Sequence, residues 1–187
     1  VHGKRGLDPT EPQINQECPF SPLSHEPYIQ EVHDSLKYQG FHPFYQPLAI
    51  KLNEVNRSLS ACIRCHTCDG FPCLIDGKAD ADINCVRPAM SYANITLITE
   101  AKVVCLHTSP SGREVTGVEV EIGNQRQIFS GDIVVLACGA VNSALLLLKS
   151  ANEQHPNGLA NSSNLVGRNY MTHNFAVVMT LSTQPNH

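Results

Sequence analysis

The chemistry-bearing residues of this sequence are densest in CIRCHTCDGFPC, residues 62 to 73, which places Cys62, Cys65, Cys68 and Cys73 within twelve residues. Four thiols so close can serve as metal ligands, as a redox pair, or as packed thiols in a larger loop. Structural zinc takes four tetrahedral ligands, usually as two pairs separated by a longer loop. The spacings here are x2, x2 and x4, with His66 inside the run, so the ligands converge only if the chain curls tightly; Cys85 or a distant histidine is the alternative fourth ligand. A bacterial iron–sulfur run reads C-x2-C-x2-C-x3-C-P. This run has four residues before its last cysteine, and its proline, Pro72, precedes Cys73. A thioredoxin-like C-x-x-C needs a βαβ context, which the flanking sequence lacks. Zinc, iron–sulfur, redox pair and packed loop therefore all stay open at this point.

Other candidate groups carry less. Asp76, Asp80 and Asp82, with Lys78, read as solvated surface, because the EF-hand pattern of acidic residues with its closing Glu is missing. Sequons occur at Asn56, Asn94 and Asn161 and matter only in a secreted eukaryotic chain.

The elements that must position these groups follow from hydrophobic periodicity. Residues 1 to 28 are polar and proline-rich and predict an irregular segment. Tyr28 to Gln39 predicts a helix with Ile29, Val32 and Leu36 on one face and Gly40 as its stop. Asp80 to Tyr92 predicts a short helix with Pro88 near an end or a kink. From Asn94 the pattern turns to strands: Asn94 to Thr99, Lys102 to Thr108, Val115 to Ile122, and Arg126 to Phe129, with Gly123-Asn124 as a two-residue hairpin turn. DIVVLA, residues 132 to 137, is apolar on both faces and predicts a buried parallel strand. Cys138-Gly139-Ala140 then leads into a leucine-rich helix from about Val141 to Ala151. The fold class is mixed α/β (α+β).

A strand that feeds a helix through a small-residue turn aims helix N-terminal N–H groups at the carboxyl end of a sheet, where such folds bind anionic ligands. Gly139 lets a flat or phosphorylated ligand approach the backbone. Equally, it permits a tight turn and close packing. The full G-x-G-x-x-G fingerprint is not in the sequence.

Composition narrows the classes. The chain has 187 residues, 42% hydrophobic, with 13 Lys and Arg and a net charge of -4, so no nucleic-acid footprint is expected. The first residues, VHGKRGLDPTEPQ, hold no apolar signal core. The longest apolar run, Ile133 to Leu148, is interrupted by Gly139, Asn142 and Ser143, and a membrane helix needs roughly 20 apolar residues. No membrane-spanning segment is expected. Eight cysteines without a signal predict a reducing compartment and a cytoplasmic location.

GDIVVLACGAVNSALLLLKSA, followed by GLANSSNLVGRNYMTHN, resembles the glucose–methanol–choline (GMC) oxidoreductases, which are FAD enzymes. ITLITEAKVVCLHTSPSGREVTGVEVE is similar to the family's meander beside the adenosine half of FAD, and the course DPTEPQ…CPFSPLSHEP to its substrate-domain entry. The resemblance implies part of a Rossmann-like FAD-binding domain with a β-meander, plus part of a substrate domain. Residues 1–93 would be the substrate-side segment with the cysteine loop, 94–151 part of the FAD domain, and 152–187 a return into the substrate domain. It implies that the backbone near Val103 faces the adenine, and that Ala137, Cys138, Gly139 and Ala140 pass close to FAD. The expected chemistry is hydride transfer from a CH–OH carbon of an alcohol or sugar to the flavin, with the electron acceptor unspecified. No residue matches the family's catalytic base, and His173 is expected to support rather than to act. The family's pyrophosphate turn and catalytic histidine pair are expected outside this stretch, so that the chain alone is inactive and, with apolar surface bare, self-associates. Some relatives in the family carry an iron–sulfur cluster on such a cysteine loop. The competing expectation is a non-enzymatic zinc or iron–sulfur module centred on Cys62 to Cys73.

Overall fold

A computed structural model of the protein describes residues 1–12, 17–65, 67–68, 70–173 and 177. The chain divides into two units, one built on Val1–Thr96 and the other on Leu97–Leu181.

In the first unit, helix α1 spans Pro27–Tyr38, with proline in its first turn, where its missing N–H costs nothing. It ends in a Schellman arrangement: Phe41 N–H donates to Leu36 O (3.0 Å) and Gly40 N–H to Lys37 O (3.1 Å). Gly40 takes φ +88°, the left-handed conformation such a stop requires. The predicted stop residue is thus the one used. Downstream, the expected short helix at 80 to 92 is present as a π-type turn, Asp82–Val86, running into a three-residue α2, Arg87–Ala89, with Pro88 near its end. Pro88 has no N–H to continue the ladder, and Arg87 N–H reaches back to Asp82 O instead.

The second unit holds a three-stranded antiparallel sheet in the order β1-β2-β3, from β1 Ala101–Thr108, β2 Val115–Ile122 and β3 Gln125–Phe129. Ile122 pairs with Gln125, so Gly123-Asn124 forms the expected two-residue turn, with Gly123 at φ +59°. Helix α3, Gly139–Lys149, starts two residues earlier than its leucines suggested. Leu106 of β1, Leu146 of α3 and Leu159 form the buried core, with Val115, Val118, Leu136 and Leu147 packed around it.

Two predicted strands are not strands. Asn94 to Thr99 carries no ladder, and DIVVLA is an unpaired segment without regular structure. A strand is defined by hydrogen bonds to neighbours, and among the described residues the sheet contains only the three antiparallel strands. Leu136 still packs on the core, while Ile133 and Val135 are 84% and 78% exposed.

What ties α3 to the sheet is polar. Ser150 is 1% exposed, the most deeply buried side chain among the described residues. Its hydroxyl accepts the outward N–H of Leu106 on the free edge of β1 (2.9 Å) and donates to Leu146 O (2.7 Å). Asn152 Nδ2 adds a bond to Thr108 Oγ1 (3.0 Å). Below the helix, Gly158 has φ +99°, and a Cβ there would lie 2.9 Å from Leu148 Cα, so only glycine closes that turn. Replacing Ser150 by Ala strands a buried N–H, at a cost of about 1–3 kcal/mol. The expected outcome is a lower urea midpoint for S150A with an unchanged m-value; an unchanged midpoint would show that the bridge contributes nothing.

Candidate functional site

Two places in the chain gather chemical groups, one in each unit. The first is the junction into α3. Cys138 occupies its N-cap position without a side-chain cap bond to the helix, and no acidic residue sits in the first turn. The Cys138 N–H itself is taken by Ser143 Oγ at 3.2 Å. The opening N–H groups of an α-helix have no intrahelical acceptor, and those of Gly139, Ala140 and Val141 are the ones in question. Gly139 adopts φ +78°, and an added Cβ there would meet nothing within 4 Å. The glycine is thus demanded by backbone conformation, and the space in front of it is open. An open cleft of about 650 Å³ lies at this end, lined by Cys138, Gly139 and Ala140 together with Tyr170, Thr172 and His173.

Of the residues expected near a cofactor, Cys138, Gly139 and Ala140 therefore share one cleft with His173. Ala137 precedes them on the exposed unpaired segment, and Val103 stands apart on β1, opposite Val120. Tyr170 to Thr172 were missed as lining residues. The only local signal was Gly167 (φ +76°), which turns the chain against Leu148 and sends it back past the helix.

The second place is the cysteine loop. Its ends are pinned by backbone bonds: Cys62 N–H to Lys51 O (3.0 Å), Lys51 N–H to Gly77 O (2.7 Å) and Ala79 N–H to Ala49 O (2.9 Å). Gly77 lets the two strands of the loop approach closely: a Cβ there would lie 3.1 Å from Cys62 Cα, a tight contact that would push the backbones apart by a few tenths of an ångström. Lys78, read from sequence as solvated surface, instead laces the loop by donating to Phe71 O (2.7 Å) and to Cys68 O. Asp76 and Asp82 both pair with Arg87 (2.7 and 2.9 Å), which accounts for that acidic cluster.

Inside the loop the thiols differ. Cys62 is buried, with its Sγ accepting from Arg64 N–H (3.4 Å). Cys73 Sγ accepts from Gly77 N–H (3.2 Å), and backbone N–H bonds, first from Ile75 and then Gly77, hold its pKa below the usual thiol value. The Thr67 hydroxyl, 3.3 Å from Cys65 Sγ, is the first cause of a lowered pKa at Cys65. Desolvation pushes Cys68 the other way. Among the described residues the four thiols do not converge on one metal position; the cluster with metal-ligating spacing lies elsewhere, at Cys105, His107 and Glu119. A pocket of about 450 Å³ opens beside the loop, walled mainly by apolar side chains such as Ile63, Phe71 and Leu74.

The comparisons with known proteins decide the lineage. The family described as GMC oxidoreductase matches residues 39–175. The chain belongs to the GMC oxidoreductase family. It is 33% identical over 132 residues to 6'''-hydroxyparomomycin C oxidase of Streptomyces lividus, covering 69% of this chain and 24% of that protein. It is likewise 33% identical over 131 residues to paromamine 6'-oxidase of Streptomyces fradiae, covering 69% and 24%. Gluconate 2-dehydrogenase flavoprotein of Pantoea cypripedii is 25% identical over 147 residues, covering 76% and 24%. The chain thus spans about a quarter, 24%, of the length of these curated relatives. The family is an FAD-binding one, and the match includes both the cysteine loop and the junction into α3. No helix among the described residues is long and apolar enough to cross a membrane.

The thiol environments give a chemical prediction. A lowered pKa means that Cys65 is present as thiolate at lower pH than an ordinary thiol, and the thiolate is the nucleophile. Under iodoacetamide with pH rising from neutral, mass spectrometry should find Cys65 modified before Cys68. Thr67→Val removes the hydroxyl and should move the Cys65 midpoint to higher pH. Equal rates at both cysteines, or no response to T67V, would contradict the assignment.

Proposed function

We propose that this chain is the central part of an FAD-dependent oxidoreductase that oxidises a CH–OH group of an alcohol or sugar. The observation that carries the reading is the uncapped, open N-terminus of α3 at Gly139, within a chain of the GMC family. The residues fit the cofactor: exposed helix N–H groups favour an anionic diphosphate, and the missing Cβ at Gly139 leaves room for close approach. The cofactor-contacting set is Ala137, Cys138, Gly139 and Ala140, with the backbone at Val103 serving the adenine. Residues 94–151 are assigned to the FAD-binding part, 1–93 to the substrate-side segment with the cysteine loop, and 152–187 to the return into the substrate domain.

FAD, when bound, supplies the hydride acceptor. This chain's own contribution is binding and orientation. Helix α3 presents fixed N–H donors, and Ser143 holds the Cys138 amide so that the turn keeps its shape. His173 lies in the same cleft and is assigned a supporting role, with the proton-accepting base supplied from outside this stretch. The substrate class is supported by relatives whose names are paromamine 6'-oxidase and gluconate 2-dehydrogenase flavoprotein. A metal module centred on Cys62 to Cys73 is not favoured, since the described thiols do not converge. The bare Ile133 and Val135 support self-association of the chain when it stands alone.

The test is the visible spectrum of the full-length protein that carries this chain. Two flavin bands should be present and should bleach anaerobically when an alcohol or sugar donor is added. Gly139→Val, which places a branched side chain at a left-handed position costing roughly 1–2 kcal/mol, should weaken flavin retention about tenfold. A protein that holds no flavin, or a flavin that no CH–OH donor reduces, would overturn the proposal.

A further inference from the structure

The sheet of the second unit carries an arrangement that the flavoenzyme reading does not use. Cys105 and His107 stand two residues apart on β1 and so share one face. Glu119 on β2 is directly opposite Cys105, and Gly117 directly opposite His107. The sulfur, imidazole and carboxylate donor atoms of Cys105, His107 and Glu119 all lie within 4.8 Å of one another. We propose that Cys105, His107 and Glu119 form a binding site for a borderline-soft divalent cation of the Zn²⁺ kind.

Donor chemistry selects that class. Thiolate and imidazole suit zinc and its neighbours, whereas hard cations such as magnesium and calcium require oxygen ligands. Three protein donors leave one tetrahedral position for water or an outside ligand. With metal–ligand distances of about 2.0–2.3 Å, the donors need only small rotamer adjustments to close on one ion.

The geometry around the donors is built for this face. His107 Nε2 is already 3.0 Å from Glu119 Oε2. Arg126 Nη1 donates to the other carboxylate oxygen at 2.7 Å, fixing the carboxylate while leaving Oε2 toward the imidazole, as an outer partner of a ligating carboxylate does. Register shifts bracket the segment, between Val103 and Cys105 and between His107 and Thr108, and such irregularities re-aim side chains. The His107 side chain is 44% exposed and that of Glu119 17%, so a cation can reach them from solution. An ordinary surface ion pair explains His107, Glu119 and Arg126 but leaves Cys105 without a role. Among the described residues its thiol makes only a long hydrogen bond, 3.6 Å, to the Leu106 carbonyl.

The test is titration of the protein with Zn²⁺ against a chromophoric chelator, and with Co²⁺ followed by its near-ultraviolet thiolate charge-transfer band. Variants C105S and H107Q should each weaken one equivalent of Zn²⁺ by at least about tenfold, the loss seen when even a supporting partner of a metal ligand is removed. C105S should also lose the corresponding cobalt band. The half-exposed His107 makes H107Q a surface change, so it gives the readout should C105S misfold. In C65S/C68S, which removes the exposed thiols of the other cysteine cluster, the same equivalent should persist. Uptake that is identical in wild type, C105S and H107Q, or that disappears only in C65S/C68S, would overturn the site.

Discussion

One buried hydroxyl organises the second unit. β1 is the edge of its sheet, and an edge strand presents unpaired N–H groups. Leu106 is at the centre of the core, so its N–H must find an acceptor without water. Ser150 supplies it and donates its own O–H to the Leu146 carbonyl in the last turn of α3. The helix is thereby fixed in rotation and height against the sheet. Its apolar side can then meet Leu106 and Leu159, and its opposite end, at Gly139, is exposed, its first N–H groups without an acceptor among the described residues. A hydrophobic contact alone would leave the helix free to slide; the two-bond bridge does not.

From that constraint the character of the cleft follows. The helix N-terminus is uncapped, the turn residue has no side chain, and the chain after Gly167 comes back beside it to bring Tyr170 and His173 to the same opening. The arrangement favours a ligand with acceptor oxygens and suits the FAD chemistry of the family to which the chain belongs. The cysteine loop of the first unit obeys a different rule. It is closed by backbone pairing at both ends and by the Lys78 ammonium within, and its thiols are left in unlike environments.

Much of this was legible in the sequence, for identifiable reasons. The meander announced itself because VTGVEVEI alternates and Gly-Asn fits a two-residue turn. Helix α3 was visible in its leucines, and Gly40 in its position after a periodic stretch. DIVVLA was read as a buried strand because its composition is that of one, but strand formation depends on neighbours that composition does not encode. The π-type turn at Asp82 goes with Pro88, the residue at which the sequence places an end or a kink. Ser150 gives no signal, since a serine near the end of an expected helix looks like ordinary surface. The meeting of Cys105 and His107 with Glu119 was equally hidden, because it depends on a strand register set by irregular pairing. Lys78 looked like a surface charge because its carbonyl partners lie seven and ten residues away on a loop of no regular type.

Whether the start of α3 meets the cofactor can be read from amide hydrogen exchange. Exchange would be followed on the full-length protein with and without FAD. Exchange at Gly139, Ala140 and Val141 should slow on FAD binding, with the Leu106 amide, already held by Ser150, slow in both states. FAD binding that leaves the 138–142 amides unchanged would contradict that contact.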